Sequence, residues 1–106
     1  MAERQLPEFL QKVIKRYPEV WDSFEALGAA ITNAGPLDGK TRELVKLAAA
    51  VAAGREGAVH SHTRRCSEAG CSSEEICHVA LLTVTTIGWS GAIRAMSWID
   101  DELDAL

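Results

Sequence analysis

Apolar residues recur at spacings of three and four along almost the whole chain, and glycine or proline cuts each run short. That period belongs to α-helices. Runs of alternating β-branched residues bounded by turns, the mark of strands, are missing. The chain is therefore expected to be all-α, a bundle of about six helices. A first helix opens near Leu6, with Pro7 in its tolerated first turn and Phe9, Leu10, Val13 and Ile14 on one side, and stops around Tyr17. Pro18 starts a second, carrying Val20, Trp21, Phe24, Leu27 and Ile31 up to the loop NAGPLDG, the clearest punctuation in the chain.

From Gly39 or Lys40 to Ala53 the alanine-rich segment KTRELVKLAAAVAAG predicts a third helix, with Asp38 as N-cap and Gly54 as terminator. A fourth runs from about Arg55 to Ala69 and ends at Gly70. Ser72 with Glu75 three residues on forms a capping box for the fifth, EEICHVALLTVTTIG. Ile76 to Ile87 is apolar on nearly every side, so this helix belongs in the centre of the fold or at a subunit contact. Gly88 interrupts it, and a last helix from about Ser90 to Leu103 holds Ile93, Met96, Trp98 and Ile99 before the acidic tail.

A chain of 106 residues, 47% apolar, is enough for one globular domain spanning 1–106, with helices one and two (5–33) as an N-terminal part. Eleven basic residues are spread among fifteen acidic ones, for a net charge of −4, which argues against nucleic-acid binding. No stretch approaches the roughly 20 apolar residues of a membrane span, and no export signal is recognisable, so a cytoplasmic location is expected. Three cysteines, Cys66, Cys71 and Cys77, are an odd count, and reduced thiols fit better than a disulfide framework.

The stretch REGAVHSHTRRC, residues 55–66, is the candidate site. On a wheel of 100° per residue, Arg55, Ala58, Val59, His62, Cys66 and Ala69 share one stripe, which puts His62 inward. His60 lies about 160° away, toward solvent or another subunit. Two imidazoles so placed cannot grip one metal. His60, His62, Cys66, Cys71, Cys77 and His78 crowd together in sequence, but their spacing matches no common zinc module, and no metal is expected. His60 and His78 read as surface histidines, able to meet across a subunit interface.

The run EGAVHSHTRRCSEAGCSSEEICHVALLTVTTIGW, preceded by LDGKTRELVKLAAAVAAGR, resembles the carboxymuconolactone decarboxylase and alkylhydroperoxidase D family over roughly residues 36–100. In the peroxidase branch the motif reads E-x11-C-x2-C-x3-H. Laid on this chain, the Glu falls on Glu43 and the His on His62, while the cysteine positions fall on Arg55 and Ala58. The decarboxylase branch also lacks that cysteine pair, and Gly54 to Glu56 look like it. The resemblance implies an alkylhydroperoxidase D-like helical fold, a homo-oligomer built as a trimer or hexamer, and chemistry that needs no cofactor.

Peroxide reduction needs a low-pKa thiolate and a resolving thiol, which arginine and alanine cannot supply. Glu43 and His62 are instead expected to act as a general acid/base pair on a small organic acid or lactone. Arg55, and less strongly Arg94, are candidate partners for substrate carboxylates. Cys66 stands one turn from His62, so it is either a relocated redox nucleophile of a thiol peroxidase or a small buried apolar residue. A helical oligomer without catalysis is the third reading. Self-association is expected from the apolar fifth helix and from Trp21, Trp89 and Trp98, a large aromatic load for this length.

Overall fold

The computed structural model describes residues 6–106, and every element in it is helical. The order is α1 (Glu8–Arg16), α2 (Pro18–Thr32), α3 (Gly39–Ala53), α4 (Glu56–Glu68), α5 (Ser73–Leu82), α6 (Val84–Ile87) and α7 (Trp89–Asp104). The residues fall into two compact units that meet in sequence after Pro36. The all-α expectation and the number of long helices hold, with α6 a single turn split from the end of the predicted fifth helix.

In the first unit, α1 and α2 form a helical pair. Proline explains the break between them: Pro18 has no N–H to offer to α1 but fits the first turn of α2. Leu10, Val13 and Ile14 are half-buried, and the Trp21 and Phe24 rings lie 5.8 Å apart. Val20, Phe24, Leu27 and Ile31 keep most of their surface exposed.

The second unit, Leu37–Leu106, carries the core. Asp38 accepts a hydrogen bond from the Thr41 N–H at 2.8 Å and so caps α3. The same bond holds the Asp38 carboxyl below the usual carboxylate range. At the other end Gly54 takes φ +67°, and the N–H groups of Arg55 and Gly54 donate back to Ala50 and Val51. This double closure is a Schellman turn, and it reverses the chain so that α4 packs along α3.

α4 ends the same way. Gly70 (φ +93°) donates to Ser67, and Cys71 donates to the Cys66 carbonyl at 2.9 Å. A Schellman turn favours an apolar contact between the residues that Cys66 and Cys71 occupy, and both are buried there. Ser72 and Glu75 then form the expected reciprocal capping box at the start of α5.

Leu47, Ala50, Val51, Val59, Cys66, Ile76, Val79, Ala80, Ala95 and Ile99 make one cluster from α3, α4, α5 and α7. Small residues on α3, α5 and α7 let the helix axes approach closely, and the branched side chains fill what remains. α5 is buried along one face only: Leu81 and Leu82 are more than half exposed, so within one chain it is not the enclosed central helix. It stops where the Thr83 hydroxyl donates to the Ala80 carbonyl at 2.6 Å, ahead of the β-branched run that forms α6. No helix of the described residues is long and apolar enough to cross a membrane.

Candidate functional site

α3 sets Glu43 one turn ahead of Leu47, and α4 sets His62 between Val59 and Cys66 on its inward stripe. Because the flanking residues are locked into the core, the two polar side chains are carried to the same α3–α4 seam. Glu43 Oε2 stands 3.9 Å from His62 Nδ1, with the side chains 19% and 22% exposed. That separation is an ion-pair distance, longer than a hydrogen bond. Both atoms are shut off from water and have no hydrogen-bond partner among the described residues.

Burial pushes the His62 pKa down, and the nearby Arg65 and Lys46 cations push it the same way; the Glu43 carboxylate opposes them without prevailing. The ring is therefore neutral at neutral pH, able to accept a proton. If Nδ1 keeps its hydrogen toward Glu43, Nε2 is the basic nitrogen.

Cys66, one turn on from His62, is fully buried. Burial pushes its thiol up to about 12, helped by the neighbouring Cys71 thiol and the Glu43 charge. Cys71 and Cys77 are raised as well, chiefly by burial, and all three thiols are free.

The two expected arginines stand away from the Glu43–His62 contact, one at the start of α4 and one on α7. Arg55 is the exposed residue just before α4. It is seven residues from His62, about 10 Å along the axis. Arg94, exposed on α7, lays its guanidinium 5.1 Å from the Trp98 ring centre. Its Nη2 sits 2.9 Å from where a Cβ on Gly54 would be. Arg55 and Arg94 thus gather at the α3–α4 turn, and no ion pair joins either to Glu43.

His60 corrects the expectation that it faces solvent or another subunit. It is half-buried, with Nδ1 2.9 Å from Glu102 Oε1 on α7 and Nε2 3.5 Å from Glu56 Oε2. Arg64 donates to the same Glu102 oxygen at 2.9 Å. The wheel placed His60 opposite His62 correctly, but the face opposite α3 is covered by α7, which packs on α4 as well. The two imidazoles point at different carboxylates, and among the described residues no three His, Cys, Asp or Glu side chains converge as metal ligands would.

Sequence reasoning missed Arg65, Lys46 and Thr63. Thr63 is fully buried, at the edge of the stripe drawn for α4. Arg65 and Lys46 follow His62 and Glu43 at i, i+3, a spacing that could have drawn attention to them. The second unit also carries an open apolar groove of about 510 Å³ on another face of α3, lined by Leu44, Val45, Ala48, Val79, Leu82 and Ile87 among others. Glu43 and His62 do not line it.

The model of the carboxymuconolactone decarboxylase family matches residues 18–101. An uncharacterized protein of Methanocaldococcus jannaschii is 31% identical over 99 residues, which cover 93% of this chain and 92% of that protein. An uncharacterized protein of Haemophilus influenzae is 44% identical over 48 residues, 45% of this chain and 42% of the relative, so that match spans less than half of the relative's length.

Proposed function

The chain belongs to the carboxymuconolactone decarboxylase family, and from that premise we propose that it is a cofactor-independent acid/base enzyme acting on a small organic acid or lactone through His62 and Glu43. The observation that carries this reading is the approach of a neutral, half-buried imidazole to a carboxylate at 3.9 Å, with neither facing atom otherwise engaged. His62 Nε2 takes the proton from a carbon next to the substrate carbonyl. The electron pair left on that carbon passes to the carbonyl oxygen, and the imidazolium returns its proton at a new position. Where carbon dioxide leaves instead, no carbon proton is taken first: the pair of the broken bond to the carboxylate passes to the carbonyl oxygen, and a proton relayed from solvent by His62 takes the place of the lost group. Glu43 steadies the imidazolium in between, the role a carboxylate plays behind a catalytic histidine.

Reduction of peroxides through Cys66 is the weaker reading. A fully buried thiol with a pKa near 12 offers very little thiolate at neutral pH. The free thiols fit a reducing compartment such as the cytoplasm.

We read residues 1–106 as one family domain, because the family match runs across the boundary after Pro36. Self-association, as a trimer or hexamer, is supported by the exposed apolar residues of α2 and by Leu81, Leu82 and Trp89, more apolar surface than a small monomer ordinarily leaves to water. Light scattering on the eluting protein measures the copy number.

His62→Gln tests the chemistry. A panel of dicarboxylates and lactones in heavy water is followed for deuterium uptake next to the carbonyl and for product. The expected result is a loss of about a hundredfold or more in turnover of whichever compound reacts; undiminished turnover removes His62 from the mechanism.

A further inference from the structure

The far end of α4 carries two cysteines that the acid/base reading does not use. Cys66 lies in the last turn of α4, and Cys71 follows the reversal at Gly70. The Cys71 N–H donates to the Cys66 carbonyl at 2.9 Å, and the Gly70 N–H to the Ser67 carbonyl at 3.0 Å. A disulfide needs Cα atoms roughly 4.4–6.8 Å apart. A backbone N–H bonded directly to the partner's carbonyl keeps the two residues inside that range, and a turn of this kind directs both side chains to one apolar contact. Both cysteines belong to the same core cluster. The Cys71 thiol is held only weakly elsewhere, donating to the Lys40 carbonyl at 3.9 Å. The cysteine positions of the family motif fall on Arg55 and Ala58 at the opposite end of α4, so this pair is a different one.

We propose that Cys66 and Cys71 are a disulfide-forming pair that exchanges with small disulfides, and that the closed bond staples the end of α4 to the turn leading into α5. Cys71 is the point of entry, because it keeps 7% of its surface open to water and Cys66 keeps none. The Cys71 thiolate attacks one sulfur of the small disulfide and expels a first thiolate, which takes up the proton that Cys71 released. Cys66 then gives up its proton and attacks the Cys71 sulfur, and the second small thiolate leaves with that proton. Two protein thiols and one small disulfide thus become one protein disulfide and two small thiols. The protein loses two electrons and two protons, and the small disulfide gains them. Burial pushes both thiols up, so the exchange is slow, and the pair follows the thiol–disulfide balance around it rather than turning over as a peroxidase. While the bond is closed, both sulfurs are protected from oxidation to irreversible acids.

Glutathione in its reduced and oxidised forms is the probe, applied to the folded full chain carrying Cys77→Ser so that only this pair reacts. After equilibration the samples are quenched in acid, alkylated, and read by intact mass and peptide mapping. The expected product is a species lighter by two hydrogens, with Cys66 joined to Cys71, no glutathione retained, and full reversal by dithiothreitol. Its yield should rise with the ratio of oxidised glutathione to the square of the reduced form. If the turn holds the pair ready, the equilibrium constant for closing the bond should be at least about tenfold larger in native protein than in the same protein unfolded in urea. The same cycle requires oxidised protein to melt at a higher temperature than reduced protein. With Cys71→Ser added, Cys66 should remain a free thiol. Absence of the internal disulfide in folded protein, a stable glutathione adduct on Cys71, or a bond that closes no more readily in the native state than in urea would each overturn the proposal.

Discussion

Glu102 on α7 places its Oε1 atom 2.9 Å from Nδ1 of His60 on α4, and the side chain that accepts this contact is only 13% exposed. Arg64 shares the same oxygen at 2.9 Å, so one carboxylate joins two donors of α4 to the last helix. An exposed ion pair contributes little to stability. Here Glu102→Ala strands two half-buried donors, and the expected loss is about 1–3 kcal/mol. Urea unfolding of the two proteins measures it. A change within the error of the melts would reduce the cluster to surface decoration.

Gly54 is the pivot of the α3–α4 hairpin that brings Glu43 to His62. Its φ of +67° suits glycine, and Arg94 Nη2 occupies the space a methyl group would need. Gly54→Ala should cost about 1–2 kcal/mol from the left-handed backbone alone. The arginine tip is flexible and can move aside. Equal stability of variant and wild type in thermal melts would mean that the turn relaxes to another backbone conformation.

Free thiols divide by burial. Cys66 is fully enclosed and its thiol is raised to about 12, whereas Cys77 is half-exposed. A thiol reagent added to native protein should modify Cys77 first, with Cys66 reacting only as fast as the protein opens. Peptide mapping of the time course gives the order. Cys66 reacting faster than free cysteine would revive the redox reading.

Much of the fold was legible in the sequence because the signals are local. Asp38, Gly54, Gly70, Ser72 and Glu75 mark helix ends through hydrogen bonds between near neighbours, and each lies where the capping patterns put it. The inward side of α4 came from its period, which carried His62 and Cys66 to the seam. The second partner of a helix could not be read. Nothing in the run around His60 announces Glu102, forty-two residues later. Arg64 and Arg65 look alike in sequence, and only the packing of α7 on α4 gives Arg64 its partner in Glu102. Arg55 drew attention because it fills a cysteine position of the family motif, yet the start of α4 leaves it about two turns from His62.

His62 makes stability depend on pH in a defined direction. Its pKa lies below 6.5 in the folded protein, through burial first and then Arg65 and Lys46, and returns to about 6.5 in the unfolded chain. A folded state that binds the proton less tightly than the unfolded one is fully favoured above the unfolded value and loses that advantage as pH falls through 6.5 toward the folded value. Urea melts from about pH 8 to pH 5 should show wild type losing more stability than His62→Gln, by at most about 1.4 kcal/mol per pH unit for one group. The surrounding carboxylates and His60 are common to both proteins and largely cancel in the difference. Parallel curves would show that the ring titrates as an ordinary exposed histidine, and the neutral base on which the proposed chemistry relies would be lost.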